Sequence, residues 1–235
     1  MELGVSTFGM LTPGPGGEAP TAGESLRQMV RLARIADEVG LDVFAAGEHH
    51  RLDMALSSPA VALAAIASTT ERIRLTSATT LIGTLDPVRV YEDFATLDLL
   101  SDGRAELILG RASFIESFSL FGRDLEDSDA LFLEGLQLLQ RLNVEPVVGW
   151  EGRFRSPLRQ AEVAPRAQRP LPLWIGVGGT PESALRAGRM GLPMTIAILG
   201  GPERFIPFAK LHREAAVKAV EAAGRIVVDL LDNLV

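Results

Sequence analysis

Apolar and polar positions along this chain switch repeatedly between two periods. Residues 3–8 and 41–46 are short, β-rich apolar runs. Between them, 24–39 place Leu26, Met29, Val30, Leu32, Ala33 and Ala36 on one helical stripe that stops at Gly40. The Gly/Pro cluster at 12–17 predicts a loop. Ser58-Pro59 offers an N-cap and a proline at the first helical position, opening an Ala-rich helix to about residue 69. Residues 73–81 read as a strand, Asp86-Pro87 repeats the cap signal for a helix to 100, and 105–109 form a fourth strand.

The segment 113–170 is less regular. It predicts a helix over 128–142, then a polar excursion around Gly149-Trp-Glu-Gly152 that reads as an inserted loop or hairpin. Residues 171–177 resume the strand pattern, Thr180-Pro181 caps a helix to 189, and 193–199 form a sixth strand. Val217, Val220, Ile226, Val227, Leu230, Leu231 and Leu234 keep a helical spacing, which predicts a long amphipathic helix over 203–235. Strands alternating with helices mean an α/β fold with a parallel sheet and helical crossovers, here in a single domain, 1–235.

Composition narrows what such a fold does. With 235 residues, 47% of them hydrophobic, the chain can fill a substantial core. A net charge of −7 has the wrong sign for holding a nucleic-acid backbone. The absence of Cys excludes disulfides, a thiolate nucleophile and Cys-ligated metals, and suits a reducing compartment. No leader pattern opens the chain, and no run approaches the roughly 18 apolar residues of a membrane span. The expectation is a cytoplasmic protein with no membrane partner.

Only three histidines occur, and two are adjacent in Glu48-His49-His50, where an apolar strand gives way to a loop. In α/β barrels the carboxyl ends of the strands carry the chemistry, so the pair reads as a candidate site; a solvated loop with a chance His pair is the competing reading. Two neighbouring His with His212 in a distant helix give poor coordination geometry, and no metal site is expected.

Four ordered segments carry a family resemblance. They are Phe44-Ala-Ala-Gly-Glu-His-His50; Thr76-Ser-Ala-Thr-Thr80 with Asp86-Pro-Val-Arg89; Ser101-Asp-Gly-Arg-Ala-Glu-Leu-Ile-Leu-Gly-Arg111; and Trp174-Ile-Gly-Val-Gly-Gly-Thr-Pro-Glu-Ser183. Together they resemble the bacterial-luciferase-like flavin-dependent monooxygenases, over residues 1 to 215. The resemblance implies a (β/α)8 barrel of the TIM type that binds reduced flavin mononucleotide (FMN) at its strand carboxyl ends, or in some branches the deazaflavin coenzyme. It implies that Arg111 contacts the flavin phosphate, for which a guanidinium fork is well suited. Thr180 and Ser183 match hydroxyls that hold the same phosphate, at a helix start that also reads as an ordinary N-cap. Gly178 and Gly179 would let the backbone approach closely, or make a plain turn. Ala78-Thr79 aligns with a non-prolyl cis peptide beneath the flavin ring. His49 matches a histidine that moves protons during the oxygen reaction, with Glu48 to orient it and His50 ranked lower.

The chain also departs from that family. About six strands precede the terminal helix where a closed barrel has eight, so the barrel reads as incomplete, and Ala112 stands where the family tends to carry Gly. The open edge needs a cover, the terminal helix or a second copy, and a homodimer is expected. The terminal stretch does not resemble the family's continuation, which leaves an engineered or shortened chain open. Two functions follow. One is an oxidoreductase that takes reduced FMN from a partner flavin reductase and uses O2 on a small-molecule substrate. The other is a non-catalytic flavin-binding or structural protein. An unrelated barrel that binds a sugar phosphate is a third, weaker reading.

Overall fold

The computed structural model describes residues 1–235 apart from 15, 113, 199, 200 and 233–235, and for 224–232 the backbone alone. The chain divides into two compact units, Met1–Pro172 and Leu173–Val235.

In the first unit β1 (Gly4–Thr7), β2 (Val43–Ala46), β3 (Arg74–Leu81) and β4 (Ala105–Gly110) pair in parallel in chain order. The crossovers are α1 (Ala22–Glu38), α2 (Pro59–Ala67) and α3 (Pro87–Leu100). Helix α1 starts before the expected residue 24 because Thr21 and Glu24 cap each other. The Thr21 hydroxyl accepts from the Glu24 N–H at 3.3 Å, and the Glu24 carboxylate accepts from the Thr21 N–H at 2.8 Å. Helix α2 is almost wholly apolar; Pro59 fixes its first turn, while the Ser58 side chain makes no capping bond. Asp86 does cap α3, accepting from the Val88 N–H at 2.8 Å. Ala33 and Ala36 of α1, Leu63 and Ile66 of α2, and Val90 and Phe94 of α3 are buried, as are Phe44, Leu75, Leu107 and Leu109 of the strands.

Beyond β4 come α4 (Glu116–Leu120), a 3-10 turn at Leu125–Asp127, α5 (Ser128–Val144) and the strands β5 (Val147–Trp150) and β6 (Leu158–Glu162). The polar excursion is therefore a hairpin, with β5 and β6 antiparallel.

In the second unit β7 (Leu173–Val177) and β8 (Met194–Ile196) pair in parallel across α6 (Pro181–Arg189), followed by α7 (Ile206–Asp232). The six parallel strands expected from the sequence are thus present among the described residues. Strand β8 stops at Ile196, short of the expected 199, and Leu199 lies outside the described residues. Helices α6 and α7 approach so closely at Gly188 that a Cβ there would strike the His212 carbonyl and Ala215. That contact sets the inward face of α7, burying Phe208 and Ala215. Val217 lies two residues and about 200° further round, and it and Val220 are exposed, contrary to the expected stripe. Ile226, Val227, Leu230, Leu231 and Leu234 fall where side chains are not described.

Two polar clamps, the buried Asp37 and the partly buried Arg104, fix the amino-terminal side of the four-stranded sheet. The Asp37 carboxylate accepts from the backbone N–H groups of Glu71, Arg72 and Ile73 at 2.8, 3.1 and 2.8 Å. Arg104 donates to the carbonyls of Ala67, Thr70, Ile73 and Ser101 and to the Thr70 hydroxyl. Burial pushes the Asp37 carboxyl up, but the three N–H groups outweigh it and hold the group below its ordinary value. Because the folded value is the lower one, this stabilisation is full above the unfolded value near 3.9 and is lost as pH falls through the folded one. Asp37→Ala should cost about 3 kcal/mol in urea unfolding at pH 7, since it leaves three donors without their acceptor, and should flatten the acid limb of the stability curve.

Candidate functional site

Parallel pairing brings the carboxyl ends of β1 to β4 to one edge of the sheet. Past Ala46 the chain still follows β1, with the Gly47 N–H bonded to the Thr7 carbonyl at 2.9 Å. The loops after β1 and β2 are also tied together, through Ala55 N–H to Gly9 O at 2.7 Å and Leu11 N–H to Asp53 O at 2.9 Å. This frame seats His49. Its backbone N–H bonds to Leu56 O at 2.9 Å, and its ring stands edge-on between Phe8 and Phe114, with centroids 5.2 and 5.3 Å away. Burial holds His49 below the ordinary histidine range; Glu48 opposes this, His50 and Arg51 reinforce it, and Asp53 opposes it. Arg51 lies over the Phe114 ring, with its guanidinium bonded to Asp53 and Glu116.

Glu48 does not orient His49 as expected. Its carboxylate is buried, with one oxygen 2.9 Å from His50 Nε2 and the other accepting from the Leu81 N–H at 3.1 Å. Glu48 and His50 are thus paired with each other, while His49 lies between Phe8 and Phe114. His50 also meets Phe121 edge-on at 5.0 Å.

On β3 the Ala78–Thr79 peptide is cis, as the resemblance implies. The ladder to β4 is irregular there, with Ala78 opposite Ile108 and Thr80 opposite Leu109. Thr79 lies over Gly110, where any Cβ would collide with its side chain. The next residue, Arg111, is partly exposed, and its Nη1 is 2.6 Å from the Asp129 carboxylate. Ala112 adopts φ +112°, a conformation that glycine holds more readily, in line with the family's preference for Gly.

The remaining expected residues belong to the second unit. Thr180 occupies the N-cap position of α6, but its side chain caps no backbone N–H and lies 2.8 Å from the Ser183 hydroxyl. A Cβ on Gly178 or Gly179 would meet nothing within 4 Å, and Gly179 has φ +138°. Open backbone before an uncapped helix start, with two hydroxyls beside it, fits an anion such as a phosphate. On the first unit, the Arg111 guanidinium supplies complementary chemistry for the same kind of group.

Sequence reasoning missed Phe8, Phe114 and Phe121, which flank the two histidines, and Asp129, which holds Arg111. Aromatic residues in loops carry no periodic signal, and an ion pair across 18 positions leaves none either. A cavity of about 20 Å³ lined by Ile82, Asp86, Arg123, Glu134 and Arg155 lies apart from His49 and has room for about one water. Among the described residues no group of three or more His, Asp or Glu is placed to hold a metal ion, and no helix is long and apolar enough to cross a membrane.

Residues 6–228 match the family model described as luciferase-like monooxygenase. The chain is 30% identical to the F420-dependent glucose-6-phosphate dehydrogenase of Amycolatopsis mediterranei, over 86% of this chain and 63% of that protein. The crystal structure of monooxygenase RslO1 from Streptomyces bottropensis is 31% identical, with a TM-score of 0.83, covering 93% of this chain and 67% of that one. The oxygenating constituent of 3,6-diketocamphane monooxygenase from Pseudomonas putida, solved in complex with FMN, shares the fold at TM-score 0.80 and 20% identity, over 93% of this chain and 63% of that one. The chain spans 56–63% of the length of three curated relatives that it matches, and less of others. On the match over 6–228 and these likenesses, the chain belongs to the luciferase-like monooxygenase family.

Proposed function

We propose that this chain is a flavin-dependent oxidoreductase, a monooxygenase that uses reduced FMN from a separate reductase and O2 to oxidise a small organic substrate. The observation that carries this reading is the placing of His49, Ala78–Thr79 and Arg111 at the carboxyl ends of three successive strands. When bound, the flavin supplies two electrons to O2, so that one oxygen atom enters the substrate and the other leaves as water.

The chain's own residues bind, orient and move protons. On the first unit, Arg111 is a phosphate contact in this proposal. Within the second unit, the open backbone of Gly178 and Gly179 beside the Thr180 and Ser183 hydroxyls is by itself suited to an anion. Ala78 and Thr79 form a ledge for the ring, and the flatness of Gly110 leaves room for Thr79 beneath it. His49, kept neutral near pH 7 by burial between Phe8 and Phe114, accepts and returns a proton at a ring nitrogen. Self-association into a homodimer belongs to the same proposal and is supported by exposed apolar side chains at Ile35 and Val39 of the α1 region, Val61 of α2 and Leu100 of α3. The relative from Amycolatopsis favours a second reading, in which the deazaflavin F420 takes the place of FMN.

Titration with oxidised and with anaerobically reduced FMN, beside F420, tests the cofactor. The expected result is saturable FMN binding that weakens 10- to 150-fold in Arg111→Ala, the equivalent of about 1.5–3 kcal/mol for a charged hydrogen bond. Asp129→Asn should strengthen binding several-fold, because the phosphate then meets a guanidinium released from its carboxylate. Binding of F420 alone would transfer the assignment to the deazaflavin branch, and binding of neither would overturn the flavin reading. Proton-monitored NMR should place the His49 titration below the ordinary value of about 6.5. Glu48→Gln should lower it further, since the neighbouring anion that favours imidazolium is gone.

A further inference from the structure

The two adjacent histidines have different surroundings, and the difference assigns them different work. His49 stands between Phe8 and Phe114, with no carboxylate hydrogen-bonded to its ring among the described residues, whereas His50 shares a hydrogen bond with the buried Glu48. Strand β2 pairs with β3 only as far as Ala46 opposite Ser77. Beyond that point β3 carries the cis peptide and the irregular register against β4. The Glu48 carboxylate takes over where the β2 ladder ends, accepting from the Leu81 N–H at 3.1 Å. One residue earlier, a Cβ on Gly47 would lie 3.3 Å from the Ala78 carbonyl, so the chain after β2 runs close to β3 both at the Ala78–Thr79 peptide and at Leu81. The second Glu48 oxygen is held by His50 Nε2, and the His50 ring is held in turn by Phe121. A buried carboxylate with both oxygens occupied has little freedom to turn.

We propose that Glu48 and His50 form a positioning pair that fixes the end of β3, and with it the Ala78–Thr79 ledge, leaving His49 to face the ligand. The pair acts through the strand and makes no contact with the cofactor. The ligand half of this inference rests on the flavin reading above; the half that concerns β3 stands on the described geometry alone.

Amide hydrogen exchange in the flavin-free chain, read residue by residue by NMR, tests it together with an oxidised-FMN titration. His50→Phe keeps the ring against Phe121 and removes the nitrogen donor, while His50→Gln keeps an N–H where Nε2 stood. In His50→Phe the Leu81 amide should exchange at least tenfold faster, with Leu75 near the start of β3 unchanged, and His50→Gln should recover most of the protection. His49→Ala should leave Leu81 as in the wild type. The FMN dissociation constant should follow the same order, rising at least fivefold in His50→Phe and returning towards wild type in His50→Gln.

Wild-type exchange at Leu81 in His50→Phe would overturn the proposal whatever the flavin does. Faster exchange with unaltered FMN affinity would overturn the claim that the ledge serves the cofactor. If the wild type binds no FMN, the flavin reading fails by itself, and the exchange comparison still decides whether the pair positions β3.

Discussion

A parallel sheet cannot spread its carboxyl ends over both sides of a protein. Every crossover returns the chain to the same starting edge, so the residues that follow β1, β2, β3 and β4 all emerge together. Phe8, the Glu48-His49-His50 run, Ala78–Thr79 and Arg111 owe their common placing to that pairing, with Thr7 opposite Ala46, Ala46 opposite Ser77, and Leu81 opposite Gly110. The strands stop before the edge is finished, and their last N–H groups need other partners. At β3 the partner is a carboxylate, and its burial makes it exacting about geometry.

The two ends of this sheet answer the same demand differently. At the amino-terminal side, Asp37 and Arg104 each serve several backbone groups and tie neighbouring segments together. At the carboxyl side the polar groups are paired more sparingly, and the half-exposed rings of Phe8, Phe114 and Phe121 lie beside them. Arg51 and Arg111 meet carboxylates there through exposed contacts, which a competing anion can displace at small cost. Rigid support on one side and exchangeable partners on the other is what a binding edge requires.

Much of this architecture was legible in the sequence because it rests on local rules. Apolar periodicity marked the helices, proline at the first position marked α2, α3 and α6, and Asp86 announced a cap that forms. Helix α1 starts two residues before the apolar stripe predicts, since the capping box of Thr21 with Glu24 lies ahead of that stripe. The site residues came from motifs, and their partners did not. Which histidine pairs with Glu48 depends on the path of the irregular segment after Ala46, and no helical or strand pattern encodes that path. Asp129 reaches Arg111 across α4 and a 3-10 turn, and Val217 faces outward because Gly188 draws α7 in at Ala215; both outcomes are set by tertiary packing.

The central claim is one of location, that the cofactor meets the carboxyl edge of the four-stranded sheet. Backbone amide shifts recorded while oxidised FMN is added to the isotopically labelled chain test it most directly. The account predicts that the largest changes fall at 47–50, 78–81 and 110–112, with the amides of Glu71, Arg72 and Ile73 at the opposite edge unmoved. Saturable binding that shifts the Asp37 and Arg104 edge, and leaves the strand carboxyl ends as they were, would contradict it.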